Sequence, residues 1–135
     1  MAGTVAQSAV HYAADGLLEI TLTATGDSSD GTIPDTVLTP KFSGQLLSLK
    51  TNPGATAPTD NYDITIEDGD AIDVLQGVGA NRDTANSEQA AIVQATSVNP
   101  YIHRGETLTF KVGNQSVNNA IIVARLLVRV FGKVT

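Results

Sequence analysis

The residues best suited to chemistry are a run of acids, because residues 60–73 contain six carboxylates and no base. Calcium sites need several carboxylate oxygens that converge on one ion. Neither this run nor a second acidic stretch, residues 27–31, matches an EF-hand loop, which requires acids or amides at alternate positions and a closing glutamate. Aspartate is also favoured in tight turns. We therefore interpret both stretches as turns and expect no metal, with calcium binding as the alternative.

The remaining candidates for catalysis are isolated from one another. The two histidines, His11 and His103, fall on separate predicted strands, with no carboxylate or second histidine at ligand spacing, so a zinc site is not expected. No serine occupies a glycine-flanked elbow, and no phosphate-binding glycine loop is present. Gly77 and Gly79 lack the helix that a dinucleotide site needs. These patterns predict a protein that is not an enzyme and uses no cofactor.

The charge is acidic overall and unevenly distributed. A net charge of −6 argues against nucleic acid as a partner, since phosphate-binding surfaces need clustered bases. From residue 103 onward, however, five bases accompany a single acid, Glu106. One interpretation is a set of solvated turns and a mildly basic strand. The other is electrostatic complementarity between neighbouring copies of the chain.

The sequence offers no sign of a membrane or secretory protein. No apolar stretch approaches the roughly 18 residues that span a bilayer. Residues 1–7 lack the basic start and apolar run of a signal peptide. We expect a protein made in the cytoplasm. The chain has no cysteine, so oxidising and reducing compartments cannot be distinguished by disulfide use.

The element that must organise the fold is the apolar, β-branched run over residues 120–131, which predicts a central strand. Its even-numbered side chains form one wholly apolar face. The odd-numbered face interleaves apolar residues with two arginines, around Arg125, Leu127 and Arg129. Such a face is typical of a surface that is half covered, either by this chain or by a neighbouring subunit. We interpret these three residues as a candidate interface; a solvated sheet face is the alternative.

Other stretches alternate in the same way and are bounded by turn residues. In residues 42–51 the period places Leu47 and Leu49 on one face and Leu46 on the other. Residues 52–60 and 77–88 are predicted loops, and residues 71–75 a short strand or one helical turn. The further predicted strands cover residues 5–12, 17–25, 35–39, 62–67, 90–96 and 106–112.

About eight strands and no stretch of helical period predict an all-β fold. We expect a single domain over residues 1–135, an antiparallel β-sandwich of jelly-roll or immunoglobulin-like topology. The pattern does not choose between the two topologies.

Within residues 51–88, about a third of the chain, three motifs stand out. They are PGATAPTDNYD at residues 53–63, DVL at residues 73–75 and GANRDTA at residues 79–85. This segment resembles the central signature of a group of small tailed-bacteriophage virion proteins. The resemblance implies a non-enzymatic structural protein, a β-sandwich attached to the phage particle.

Among virion roles, the resemblance favours a capsid decoration, or cement, protein on the outside of the head. Its partner would be the major capsid protein, it would self-associate, with a trimer expected, and it would be located in the virion. A head-fibre, tail or adhesin module that binds a host surface or glycan is the alternative. Because loops adapt to a shell surface, Asn81 and Arg82 in the 77–88 loop join Arg125, Leu127 and Arg129 as expected interface residues.

Overall fold

The computed structural model describes residues 1–94 and 98–135, and its regular secondary structure is almost entirely β-strand. The expected strand over residues 90–96 therefore lies partly outside the described residues. The one helical element described is a single 3₁₀ turn, Ala13–Asp15. The strands are β1 (Thr4–Tyr12), β2 (Leu17–Thr25), β3 (Thr36–Val37), β4 (Gly44–Pro53), β5 (Asp63–Glu67), β6 (Glu88–Ala91), β7 (Tyr101–Ile102), β8 (Thr109–Gly113) and β9 (Ile121–Val130).

These strands form two antiparallel sheets. The larger sheet has six strands in the order β1-β2-β9-β4, with β6 and β7 both paired to the far edge of β4, and the smaller has the order β3-β8-β5. Strands β2 to β5 alternate between the sheets, and so do β8 and β9. The prediction of an all-β sandwich is confirmed. Of the two topologies left open, the strand order is that of a jelly roll, since an immunoglobulin domain keeps its last two strands in one sheet.

The core lies between the sheets, and β9 crosses its centre. The prediction that one face of this strand is buried is confirmed, because Ile122, Ala124, Leu126 and Val128 are fully inaccessible. They pack in one cluster with the inward residues of β2 and with Phe110 of the smaller sheet. Burial of each large aliphatic side chain contributes about 1.5–3 kcal/mol, so the buried face of β9 contributes strongly to the stability of the sandwich.

A β-bulge in β4 overturns one prediction. Leu47 was expected to share a face with Leu49, but Leu46 and Leu49 are the two buried residues. Pairing with β9 shifts by one residue between Leu46 and Ser48, so Leu47 is an extra residue that resets the alternation. The carbonyl of Leu47 accepts a hydrogen bond from the amide of Ile92 at 2.9 Å, which holds the bulge in place.

Several boundaries also differ from expectation. Strand β4 runs on through Pro53, β6 ends at Ala91, and β7 was not predicted at all. Residues 71–75 form neither a strand nor a helix: Asp73 makes an isolated bridge to Glu67, and residues 74 and 75 lie in a turn. Among the described residues, no helix has the length and apolar character needed to cross a membrane.

Candidate functional site

The candidate site is the outer face of the larger sheet, the surface formed by side chains of β1, β2, β9 and β4 that point away from the core. Alternation along β9 places Arg125, Leu127 and Arg129 on it, as predicted. Arg125 and Leu127 are half-buried and Arg129 is exposed. The two layers of the fold thus leave this face open to a partner.

The strand register aligns these residues with neighbours in rows across the sheet. Arg125 lies between Thr21 of β2 and Lys50 of β4. Like charges directly opposite one another on a sheet are destabilising. Among residues 1–94 and 98–135, no carboxylate lies within ion-pair distance of Arg125, Lys50 or Arg129. A partner that supplied a carboxylate would relieve this repulsion.

The next two rows are more apolar. Leu127 lies between Glu19 and Ser48, and Glu19 in turn lies opposite Val10 of β1. Arg129 lies between Leu17 and Gln45. The three rows therefore hold three cations, one carboxylate and several apolar side chains, on a protein whose net charge is −6.

An aromatic pair lies at one end of this face. The rings of Tyr101 and Phe131 stack with centroids 6.1 Å apart and an interplanar angle of 18°. Both are about half exposed, and Tyr101 pairs with Gln45, the cross-strand neighbour of Arg129. Exposed aromatic and arginine side chains are the residue types that contribute most to protein interfaces. Sequence reasoning missed this pair because Tyr101 lies on the unpredicted β7.

Asn81 and Arg82 lie elsewhere, beside the smaller sheet. Residues 79–82 run along the free edge of β5, where Ile64 donates its amide to the Gly79 carbonyl and Arg82 donates its amide to the Tyr62 carbonyl, each at 2.8 Å. Asn81 is exposed, and its backbone amide donates a hydrogen bond to the Asp63 carboxylate at 2.9 Å. This segment occupies the position of a fourth strand in the smaller sheet.

The Arg82 side chain is turned inward and is only 12% exposed. Its Nε lies 3.6 Å from a carboxylate oxygen of Glu88. Nearby, the hydroxyls of Tyr62 and Thr51 are buried, and burial raises the pKa of Tyr62. The structure thus brings three of the five predicted interface residues together and places Asn81 and Arg82 apart from them. Their role at an interface stays a prediction.

The acids of residues 60–73 organise turns. The Asp73 carboxylate accepts hydrogen bonds from the amides of Ile66 (3.1 Å), Leu75 (3.0 Å) and Gly77 (3.0 Å). Glu67 lies 2.9 Å from the Lys111 ammonium and raises the pKa of that lysine. In the described parts of the chain, no three His, Asp or Glu side chains are grouped so that they could hold a metal ion.

One histidine departs from expectation. His103 follows β7 instead of lying on a strand, and its Nε2 is 3.4 Å from Glu106, so it does have a nearby carboxylate. The pair lines an open depression with Asp68 and Asp70. The His103 side chain is 63% exposed, so the pair lacks the exclusion of water that acid–base catalysis uses.

Comparison with known proteins identifies no family. No protein-family model and no curated protein matches this sequence. Among solved structures, the chain is similar to a hypothetical protein from Leishmania major, with 8% sequence identity and a TM-score of 0.30. The alignment covers 95% of this chain and 72% of that one. A likeness this weak supports no argument about fold or function.

Proposed function

We propose that this protein is a non-enzymatic structural component of a bacteriophage particle, a decoration protein that binds the outside of the head through the outer face of its larger sheet. The observation that carries the proposal is the composition of that face. On an acidic chain, Arg125, Arg129 and Lys50 stand without ion-pair partners in the described structure, among exposed apolar side chains.

The three motifs that resemble phage virion proteins support a structural role. The Thr84 hydroxyl donates to the Pro58 carbonyl, and the Asn61 amide donates to the Arg82 carbonyl at 3.0 Å. Residues 53–63 and 79–85 are thus hydrogen-bonded to each other, and together they cover the free edge of the smaller sheet. Side chains used in this way stabilise a scaffold, and they leave the opposite sheet free to bind.

Binding would combine charge and apolar contact. Arginine binds carboxylates through two parallel hydrogen bonds, so Arg125 and Arg129 fit an acidic patch on the major capsid protein. Leu127 and the Tyr101–Phe131 pair would bury apolar surface beside those contacts. A self-associated form would repeat the contact across the shell lattice and gain avidity.

The test is sedimentation of purified protein with undecorated phage heads, over a range of salt concentrations. We expect co-sedimentation at high copy number. Arg129→Glu should weaken it at least tenfold, whereas Lys133→Glu, an equal charge change on an exposed residue outside the strands, should not. Failure to bind heads would overturn the proposal. Binding to host cells or glycans without any head would instead establish the fibre, tail or adhesin role.

A further inference from the structure

Strand β1 forms one edge of the larger sheet. Its nine residues pair in unbroken register with β2, from Thr4 opposite Thr25 to Tyr12 opposite Leu17. In the described structure no other strand pairs with β1. Half of the backbone amide and carbonyl groups of an edge strand point away from the sheet, so β1 presents a row of them to solvent.

The other sheet edges are short or covered. Beyond β4 lie only β6, with four residues, and β7, with two. In the smaller sheet, β3 has two residues and the free edge of β5 is occupied by residues 79–82. Short and covered edges are the usual protection against pairing with another chain. Strand β1 is thus the long open edge of the described fold.

This strand also lacks the residues that normally prevent such pairing. It contains no proline, no bulge and no Asp, Glu, Lys or Arg, and the first acidic side chain of the protein is Asp15. Val10 and Tyr12 are 50% and 46% exposed. A long, uncharged and partly apolar edge is a template for a second strand.

We propose that two copies of this protein pair through β1, antiparallel, about a two-fold axis at Ser8. All nine residues pair only when Ser8 faces Ser8 of the second copy. Val10 then meets Ala6, and Tyr12 meets Thr4, so apolar side chains cover each other. Each copy carries a net charge of −6, so two copies repel each other overall. Because β1 contains no Asp, Glu, Lys or Arg, pairing through it brings no like charges directly opposite one another.

Pairing would also cover neighbouring apolar surface and extend the outer face. Ala9, Pro40 and Val134 line a shallow depression beside this edge. The two larger sheets would become one continuous sheet, with the Arg125 row of each copy on the same side.

Pairing through β1 does not depend on the proposed phage function, because it is argued only from the edge of the sheet. A two-fold contact gives an even number of copies, which distinguishes it from a trimer.

The experiment measures mass by light scattering and native mass spectrometry across protein concentrations. The wild type should form dimers or larger even-numbered assemblies. Ser8→Lys and Ser8→Glu each place like charges opposite one another at the axis, so each alone should raise the dimer dissociation constant at least tenfold. An equimolar mixture of the two should recover dimers that contain one of each. Ser87→Lys, the same substitution at an exposed position outside the strands, should dimerise like the wild type.

A second measurement needs no variant. Hydrogen exchange of the wild type should slow at residues 4–12 as concentration rises through the dimerisation range. A wild-type monomer at high concentration, a trimer unaffected by Ser8→Lys, or failure of the mixture to recover dimers would each overturn the proposal. Protection of residues 4–12 only after phage heads are added would assign the edge to a shell strand and refute self-pairing.

Discussion

Arg125 on β9 lies directly opposite Lys50 on β4, in the middle of the outer face of the larger sheet. Both are cations, and no carboxylate of the described chain lies within ion-pair distance of either. An isolated sheet gains nothing from this arrangement, since like charges opposite one another cost stability. Our proposal assigns this pair to the surface that binds the phage head, where carboxylates of the partner would relieve the repulsion.

The first prediction concerns this pair. Lys50→Glu should stabilise the free protein by about 0.5 kcal/mol, because a repulsive cross-strand pair becomes an attractive one. The same change should weaken binding to phage heads. Urea unfolding and head sedimentation measure the two effects, with Lys133→Glu as the control. A variant that is less stable yet binds equally well would contradict our interpretation of the face.

The second prediction tests which side of β9 faces the core. Leu126 is fully buried and Leu127 is half-buried. Leu126→Ala should lower the free energy of unfolding by about 2–5 kcal/mol, since it leaves a cavity in the central seam. Leu127→Ala should cost less than about 1 kcal/mol in the free protein. Similar losses in urea unfolding for the two variants would be incompatible with the described alternation.

The third prediction concerns the segment that runs along β5. A Cβ added at Gly79 would lie 2.1 Å from the Ile64 carbonyl oxygen, whereas one added at Gly69 would meet no atom within 4 Å. Gly79→Ala should therefore destabilise the protein by about 1–3 kcal/mol, as overpacking does. Gly69→Ala, the matched control, should change stability by less than about 0.5 kcal/mol. Thermal unfolding of both variants measures the difference, and equal effects would show that residues 79–82 do not pack against β5.

The fourth prediction is a pH dependence at Asp83. Hydrogen bonds from the amides of Ala85 and Asn86 lower the pKa of the Asp83 carboxyl below its usual value of 3.8. Because the pKa is lower in the folded state, the ionised carboxyl stabilises the fold above pH 3.8, and that contribution is lost as the pH falls through the folded-state pKa. Asp83→Asn should be less stable than the wild type at pH 7, and the gap should narrow at pH 3. Urea midpoints at the two pH values test this; a gap that widens in acid would count against it.

The parts of the fold that sequence reasoning found are those where alternation runs unbroken. Strand β2 was predicted with its observed bounds, and β9 to within one residue at each end, because nine or ten residues alternate between core and surface. Period-two alternation predicts the wrong face for Leu47, because one inserted residue moves every later side chain of the strand to the opposite face. Nothing in the local sequence marks such a bulge.

The rest of the site depends on contacts between distant residues. Alternation was enough to place Arg125, Leu127 and Arg129 together on one face. The Tyr101–Phe131 pair could not be found, because it depends on a two-residue strand after Pro100 that has no period of its own. Asn81 lies in a predicted loop, and only the backbone hydrogen bonds of Gly79 and Arg82 show that this loop runs along β5.

In the chain, β9 comes after all the other described strands, but in the larger sheet it lies between β2 and β4. The larger sheet therefore cannot form completely until β9 has been synthesised. Strand β2 pairs with a strand about a hundred residues downstream. Until residues 121–130 leave the ribosome, the apolar side chains of β2 have no central strand beside them. Such distant pairing slows folding. The larger sheet can therefore be completed only after residues 121–130, its central strand, have been made.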